Sequence, residues 1–390
     1  MIRLGLIDIN HANTCFHLIS KDMSHAYQLL GADISYYTGK ARAYLRYKDI
    51  PFEEIRATRD TYVKTILPRT GVAMIPVLIT PDDIAVQDTS EIIDSLETRF
   101  PDPSVFPATP RQGTIARLFE LYGDEWLVIP AMHYRWNYNA DAMYLEFGKV
   151  SQPDMEEAAR IEVGKEICKP FKGALPILGV NPTTEKAIEA SYEQLLRDLD
   201  VHFAQYPFLL GTRPSIGDFG LMGPLYAHQY RDPASGEIMK RIAPNVAKWV
   251  ERMNAPDVKQ GDFLPSDEVP ETLFPVIQRI FEEQFPPLHV MVRALGDWID
   301  AHPHEDIPRA IGKQSFSLKE NSGKIVTGER GMFTFSQWML QRVLDFYQPL
   351  AGRDRDSVDN LLDKVHGRDA MQFELKHRVA RVKNKLVAEK

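Results

Sequence analysis

Short apolar runs alternate with amphipathic stretches over the first quarter of the chain. Asp33-Ile34-Ser35-Tyr36-Tyr37 holds β-branched and aromatic residues and predicts a strand, closed by a turn at Thr38-Gly39. Lys40 to Lys48 has helical spacing, with Ala41, Tyr44, Leu45 and Lys48 along one side. Pro51 to Ile55 predicts a second strand, and a short helix follows near residues 60–67. Ile75-Pro76-Val77-Leu78 predicts a third strand, opened by a residue that cannot donate to a sheet ladder. A turn at Pro81-Asp82-Asp83 leads to an edge strand at Ile84 to Val86. Asp88-Thr89-Ser90 then starts a helix whose apolar side is Ile92, Ile93 and Leu96. Strands alternating with short helices imply a sheet with helical cover.

Prolines 101, 103, 107 and 110 crowd one segment and mark a linker. Beyond it the pattern is helical to about Ala255. Gln112 to Leu145 predicts one or two long helices bent at Pro130, and Asp154 to Cys168 and Thr183 to Tyr206 predict two more. The Pro/Asp-rich stretch from Pro256 to Pro270 ends that unit. Residues 271–390 are mostly helical, interrupted by Ser315 to Thr327, where alternation around Asn321-Ser322-Gly323 predicts a hairpin. Leu375, Val379, Val382 and Leu386 have the spacing of a packed helix with a basic solvated face. The expected units are thus an N-terminal extension over 1–32, an α/β domain over 33–102, an all-helical domain over 110–256, and a C-terminal extension over 271–390. Residues 1–32 are weakly patterned and read as a flexible extension or an over-called start rather than a functional arm, with Met23 as an internal start.

Composition narrows the function classes. A net charge of −8 argues against a general nucleic-acid binder. No apolar run approaches the ~20 residues that span a bilayer. The first residues lack the pattern of a secretory signal. Cys15 and Cys168 are far apart and form no CxxC pair, which disfavours a disulfide scaffold and fits a reducing cytoplasm. His302-Pro303-His304-Glu305-Asp306 reads as a solvated loop, and no metal site is expected.

Four pieces carry a resemblance to the glutathione transferase superfamily over about residues 33–255. Ser35 to Arg42, continued by Lys40 to Phe52, looks like the family's strand-turn-helix and its K-x-R…L…K-x-I-P-Y/F stretch. Ile75-Pro76 looks like its cis-proline pair. Asp88-Thr89 stands where the family has Glu/Gln-Ser. Gly211-Thr212-Arg213-Pro214-Ser215-Ile216-Gly217-Asp218 looks like its S/T-x-x-D helix start, a capping box of Ser215 and Asp218. The resemblance implies a thioredoxin-like α/β domain followed by an all-α glutathione transferase C-terminal domain, with a mostly helical extension beyond.

It also implies glutathione as cosubstrate, an electrophilic small molecule as second substrate, and a homodimer. Ile75 would then pair its backbone with the cysteinyl unit of glutathione. Asp88 and Thr89, at a helix N-terminus rich in free N–H groups, would hold the γ-glutamyl end. Arg69 or Lys64 would meet the glycyl carboxylate. The thiol donor stays open among Ser35, Tyr36, Tyr37 and Thr38, or no side-chain donor at all. Ser35 is in register with the family's catalytic Ser/Cys, and strand alternation puts Ser35 and Tyr37 on one face and Tyr36 on the other. The cluster His133-Tyr134-Arg135-Trp136-Asn137-Tyr138 is read either as a pocket wall or as helix packing. The expected function is a glutathione-binding transferase that activates the thiol. The alternative is a non-catalytic binding or assembly module with the same fold.

Overall fold

The computed structural model describes residues 26–255 and 261–389. Most of the expected N-terminal extension, Cys15 and Met23 included, lies outside the described residues. Four strands form the first sheet: β1 (Tyr27–Gly31), β2 (Phe52–Arg56), β3 (Val77–Ile79) and β4 (Ala85–Gln87). Their order is β2-β1-β3-β4, with β1 parallel to β2 and the other pairs antiparallel. β1 is therefore central and carries the near-continuous apolar run that a doubly covered strand needs, Leu29 lying opposite Leu78 with both buried.

The strand expected at Asp33 to Tyr37 is absent, and the first strand lies earlier, within the segment read as an extension. Ser35 instead caps helix α1 (Tyr36–Tyr47): its hydroxyl oxygen accepts from Thr38 N–H at 3.3 Å and its own N–H closes a turn on Ala32 C=O at 3.0 Å. The strand propensity of two tyrosines yields to the cap and to the pairing already made by Tyr27–Gly31. Gly31 sits where α1 crosses the strand end. A Cβ there would lie 2.3 Å from Thr38 Cγ2, so only glycine lets the corner close.

Between β2 and β3 run α2 (Arg59–Thr61), a wide turn (Tyr62–Ile66) and α3 (Leu67–Thr70), and after β4 comes α4 (Thr89–Arg99). The expected helix from Gln112 is three: α5 (Pro110–Glu125), α6 (Val128–Tyr138) and α7 (Ala140–Ser151). The break falls at Trp126-Leu127. Pro130 sits in the first turn of α6, where its missing N–H is harmless. Helices α8 (Glu157–Gly173), α9 (Glu185–Phe203), α10 (Ile216–Ala227), α11 (Pro233–Ile242) and α12 (Pro244–Asn254) complete the second unit. α10 begins with the expected capping box of Ser215 and Asp218.

The C-terminal segment contains α13 (Phe274–Arg279), α14 (Phe285–Ala301), β5 (Ala310–Lys319), β6 (Ile325–Phe333), α15 (Phe335–Tyr347), α16 (Gly352–Lys364), α17 (Arg368–Met371), β7 (Val379–Val382) and β8 (Lys385–Ala388). β5 and β6 form the expected antiparallel hairpin, longer than its sequence signal. The helix expected across Val379 and Leu386 is a second hairpin. Lys383 and Asn384 both adopt left-handed φ, +49° and +62°, which suits a two-residue hairpin turn and ends any helix. The segment packs back on the chain: Arg342 of α15 bonds Asp94 of α4 at 2.5 and 3.0 Å. One hydrophobic core runs from Leu29 through Phe119 and Trp249 to Leu344. No helix among the described residues is long and apolar enough to cross a membrane.

Candidate functional site

A cavity of about 1480 Å³ opens between the sheet domain, the helical unit and the C-terminal segment. Its sheet-side wall brings together five of the expected site residues that lie far apart in sequence: Ser35, Ile75, Pro76, Asp88 and Thr89. Tyr36 and Tyr37 also line it. Ser35 reaches the wall from the start of α1, where the first N–H groups of the helix are free of intrahelical partners. The Ile75–Pro76 bond is cis, as expected.

Asp88 caps α4, accepting from Ser90 N–H at 2.9 Å, with φ at +85°. That conformation is strained for a residue with a Cβ, by about 1–3 kcal/mol, and persists only where the surroundings hold it. Arg381 of β7 is one of those surroundings. It donates to Gln87 Oε1 at 2.7 Å and Gln87 C=O at 3.1 Å, pairs with Glu91 at 2.8 Å, and stands 4.0 Å from Asp88. Sequence reading misses Arg381, because a helix pattern across the tail points it to solvent.

The two tyrosines tie the sheet domain to α5. Tyr36 donates to Gly123 C=O, and Tyr37 donates to Asp124 C=O at 3.0 Å. Burial, then neighbouring acidic groups, pushes both phenols well above their ordinary range, so neither ionises near neutral pH. Ser35 has a hydroxyl proton with no such partner among the described residues. Arg69 does not line the cavity: it pairs with Asp83 at 2.7 Å. Lys64 is likewise absent from the wall and pairs with Asp60 at 2.5 Å.

The cluster on α6 divides. His133 and Tyr138 bond Glu189 of α9 at 2.9 and 2.6 Å, and Tyr134 packs on Tyr192. Met132, Arg135 and Trp136 line the cavity. Arg135 is buried and joins the units, donating to Ile34 C=O at 2.7 Å and to Asp232 at 2.7 and 2.9 Å. It thereby fixes the residue before Ser35. The far limb of the cavity is apolar, with Phe147 and Val150 of α7 and Val163, Ile167 and Phe171 of α8. Those helices touch backbone to backbone. A Cβ on Gly164 would lie 1.7 Å from Tyr144 O, and one on Gly148 would lie 2.0 Å from Arg160 O.

Glu125 lies at the cavity floor and accepts from the Ser336 hydroxyl. Burial, chiefly, pushes its carboxyl up to about 8. A carboxyl raised by folding is protonated in the native chain while the unfolded chain ionises, so stability declines as pH rises from about 4.5 to about 8 and then levels. Glu125→Gln should remove that part of the slope. The variant is expected to gain roughly 1–3 kcal/mol on the wild type between pH 5 and pH 8. Denaturant unfolding at both pH values checks this, and a constant difference between the two proteins would contradict it.

Two family models match the chain: "Glutathione S-transferase, N-terminal domain" over residues 29–104 and "Glutathione S-transferase, C-terminal domain" over residues 167–257. No curated protein matches it. Among solved structures, a Tau class glutathione S-transferase from mango, Mangifera indica, is 21% identical, and the match covers 63% of this chain and 94% of that one at a TM-score of 0.40. A glutathione S-transferase from Methylobacterium radiotolerans, in complex with glutathione sulfonate, is 21% identical over 63% of this chain and 100% of its own, at 0.37. A beta-etherase from Sphingobium is 16% identical over 60% and 96%, at 0.44.

Proposed function

The chain belongs to the glutathione transferase superfamily through its two matched domains, and from that premise we propose that it binds glutathione and activates its thiol for attack on an electrophilic small molecule. The observation that carries this reading is the convergence of Ser35, Ile75-Pro76 and Asp88-Thr89 on one wall of one cavity. In it, the α4 start takes the γ-glutamyl end and Ile75 pairs with the cysteinyl backbone. The Ser35 hydroxyl donates to the sulfur, and the α1 start adds the field of its free N–H groups. The thiol proton passes to solvent, and the sulfur lone pair forms the new bond to the electrophilic carbon while the bond to the leaving group breaks; with an aryl halide, halide departs to solvent with the bonding pair. Tyr36 and Tyr37 serve the architecture, since their protons are held by carbonyls. The apolar limb between α6, α7 and α8 receives the electrophile.

The unit boundaries belong to this reading, with Tyr27–Gly31 joined to the thioredoxin-like unit. So do the homodimer and the cytoplasmic location. Light scattering of the purified chain tests the first, and a single-chain mass would remove it.

Calorimetry with glutathione, followed by a conjugation assay with an aryl halide, tests the function. Ser35→Ala is expected to lower the rate constant by about 10-fold with little change in glutathione affinity, because the bond strengthens as charge develops on sulfur. A fully active variant would remove Ser35 from the mechanism. Binding without any conjugation by the wild type would favour the non-catalytic module.

A further inference from the structure

Arg330 of β6 is a buried cation that the protein leaves without a partner. It is 6% exposed, its Nε is buried with no hydrogen-bond acceptor, and no carboxylate stands within ion-pair distance of it among the described residues. Burial lowers its pKa to about 10, so the guanidinium stays charged at neutral pH. The acid that acts on it is Glu125, and burial keeps that carboxyl largely protonated below about pH 8. A buried cation normally recovers its desolvation cost from a carboxylate, and here the chain supplies none. Arg59 and Arg309 also line the cavity without an ion pair, but both are exposed, so water serves them.

Arg330 lines the large cavity. It also borders a second space of about 10 Å³ with Gln284 and Gln314, which has room for about one water and for no organic ligand. Its guanidinium carbon stands 4.8 Å from the ring centre of Trp126 and 5.6 Å from that of Phe333. Rings take the face of a guanidinium and leave its edge, where the N–H donors lie. The strand is held as well. Gly331 donates its N–H to Ile177 C=O at 2.7 Å, which ties β6 to the turn after α8, and α8 supplies Val163, Ile167 and Phe171 to the apolar limb. These neighbours belong to the helical unit and the C-terminal segment, not to the sheet-side wall of Ile75-Pro76 and Asp88-Thr89.

We propose that Arg330 is a specificity-determining residue that holds a carboxylate on the second substrate, so that the cavity takes apolar electrophiles bearing an acid group. A guanidinium edge meets a planar carboxylate with two parallel hydrogen bonds. That the bound acid is an electrophile rests on the transferase reading. That Arg330 holds an anion rests on its burial in the cavity wall without a partner.

The test is calorimetric titration of the full chain with para-nitrobenzoate and with para-nitrobenzamide, which share a shape and have no halide to lose. The wild type is expected to bind the acid about 10-fold more tightly than the amide, the scale of one charge-assisted contact. Arg330→Met, whose stem still covers Trp126 and Phe333, should abolish that preference and leave glutathione affinity unchanged. Arg330→Lys should keep part of the preference, since the charge remains and the fork is gone, and it decides the matter if the methionine variant does not fold. A wild type that binds the acid no more tightly than the amide overturns the assignment. So does equal weakening of both by Arg330→Met, which means a structural role, or a matching loss of glutathione affinity, which gives the cation to glutathione. A wild type that keeps the acid preference but binds no glutathione supports the anion site and removes the transferase reading.

Discussion

Replacing Lys40 with methionine is expected to destabilise the protein by about 3–5 kcal/mol, the scale for breaking a buried ion pair from one side. Lys40 is fully buried, with its ammonium 2.9 Å from Glu120, 2.6 Å from Asp124 and 3.4 Å from the Ser90 hydroxyl. Burial alone would lower its pKa, but Asp124 and then Glu120 outweigh that and raise it. Burial likewise opposes ionisation of Glu120, yet Arg342 and then Lys40 hold that carboxyl down at about 2. The variant would leave Asp124 buried without a cation and beside the ionised Glu120, to which Arg342, at 3.4 Å, would be the one cation left. Adding Asp124→Asn should recover part of the loss, because the stranded charge is then removed. Urea unfolding of the single and double variants checks both statements. A loss below about 1 kcal/mol for the single variant would show that the network is not an energetic centre. Because it joins α1, α4, α5 and α15 beneath Ser35 and Asp88, its failure should also loosen the ligand cavity.

Asp218→Ala is expected to have a comparable effect, again about 3–5 kcal/mol, through orphaned donors rather than an orphaned charge. The carboxylate is fully buried and accepts from Ser215 N–H at 2.8 Å, Ser215 Oγ at 2.9 Å, Leu209 N–H at 3.0 Å and Trp249 Nε1 at 3.1 Å. A helix cap alone accounts for about 1 kcal/mol. The bonds to Leu209 and Trp249 make the difference, since they pin the preceding loop and α12 to the α10 start. Asp218→Asn should retain more stability than alanine, keeping an acceptor but misplacing an amide. Chemical denaturation ranks the three proteins, and an alanine variant losing only a cap's worth would refute the wider role.

These two residues mark the reach of sequence reading. Asp218 is visible along the chain because a capping box acts over three residues, and its signal is a local spacing. The same holds for Ile75-Pro76, for Asp88 before its apolar helix, and for the hairpin around Asn321 to Gly323. Ser35 stands out as a candidate, but its local propensity points to the wrong backbone. Propensity favours a strand, whereas the pairing of Tyr27–Gly31 with β2 and β3 leaves Ser35 free to cap α1. The tail misleads for a related reason. Val379 and Leu386 fit helical spacing and strand alternation alike, and the left-handed pair at Lys383-Asn384 decides between them.

The sequence by itself determined the elements whose causes lie within a few residues: caps, turns, apolar faces, and the alternation of strands and short helices in the first domain. The tertiary structure alone decided which charges far apart in sequence meet. Lys40 and Asp124 are 84 residues apart, and Arg381 and Gln87 are 294 apart. No spacing rule links such positions. Their pairing depends on which groups the packed helices leave dry, because desolvation and distance, both products of the assembled fold, set whether a charge is held, neutralised or left for a ligand. Arg69 stands out along the chain as a candidate ligand cation, yet the packed fold sets it against Asp83 and leaves it off the cavity wall.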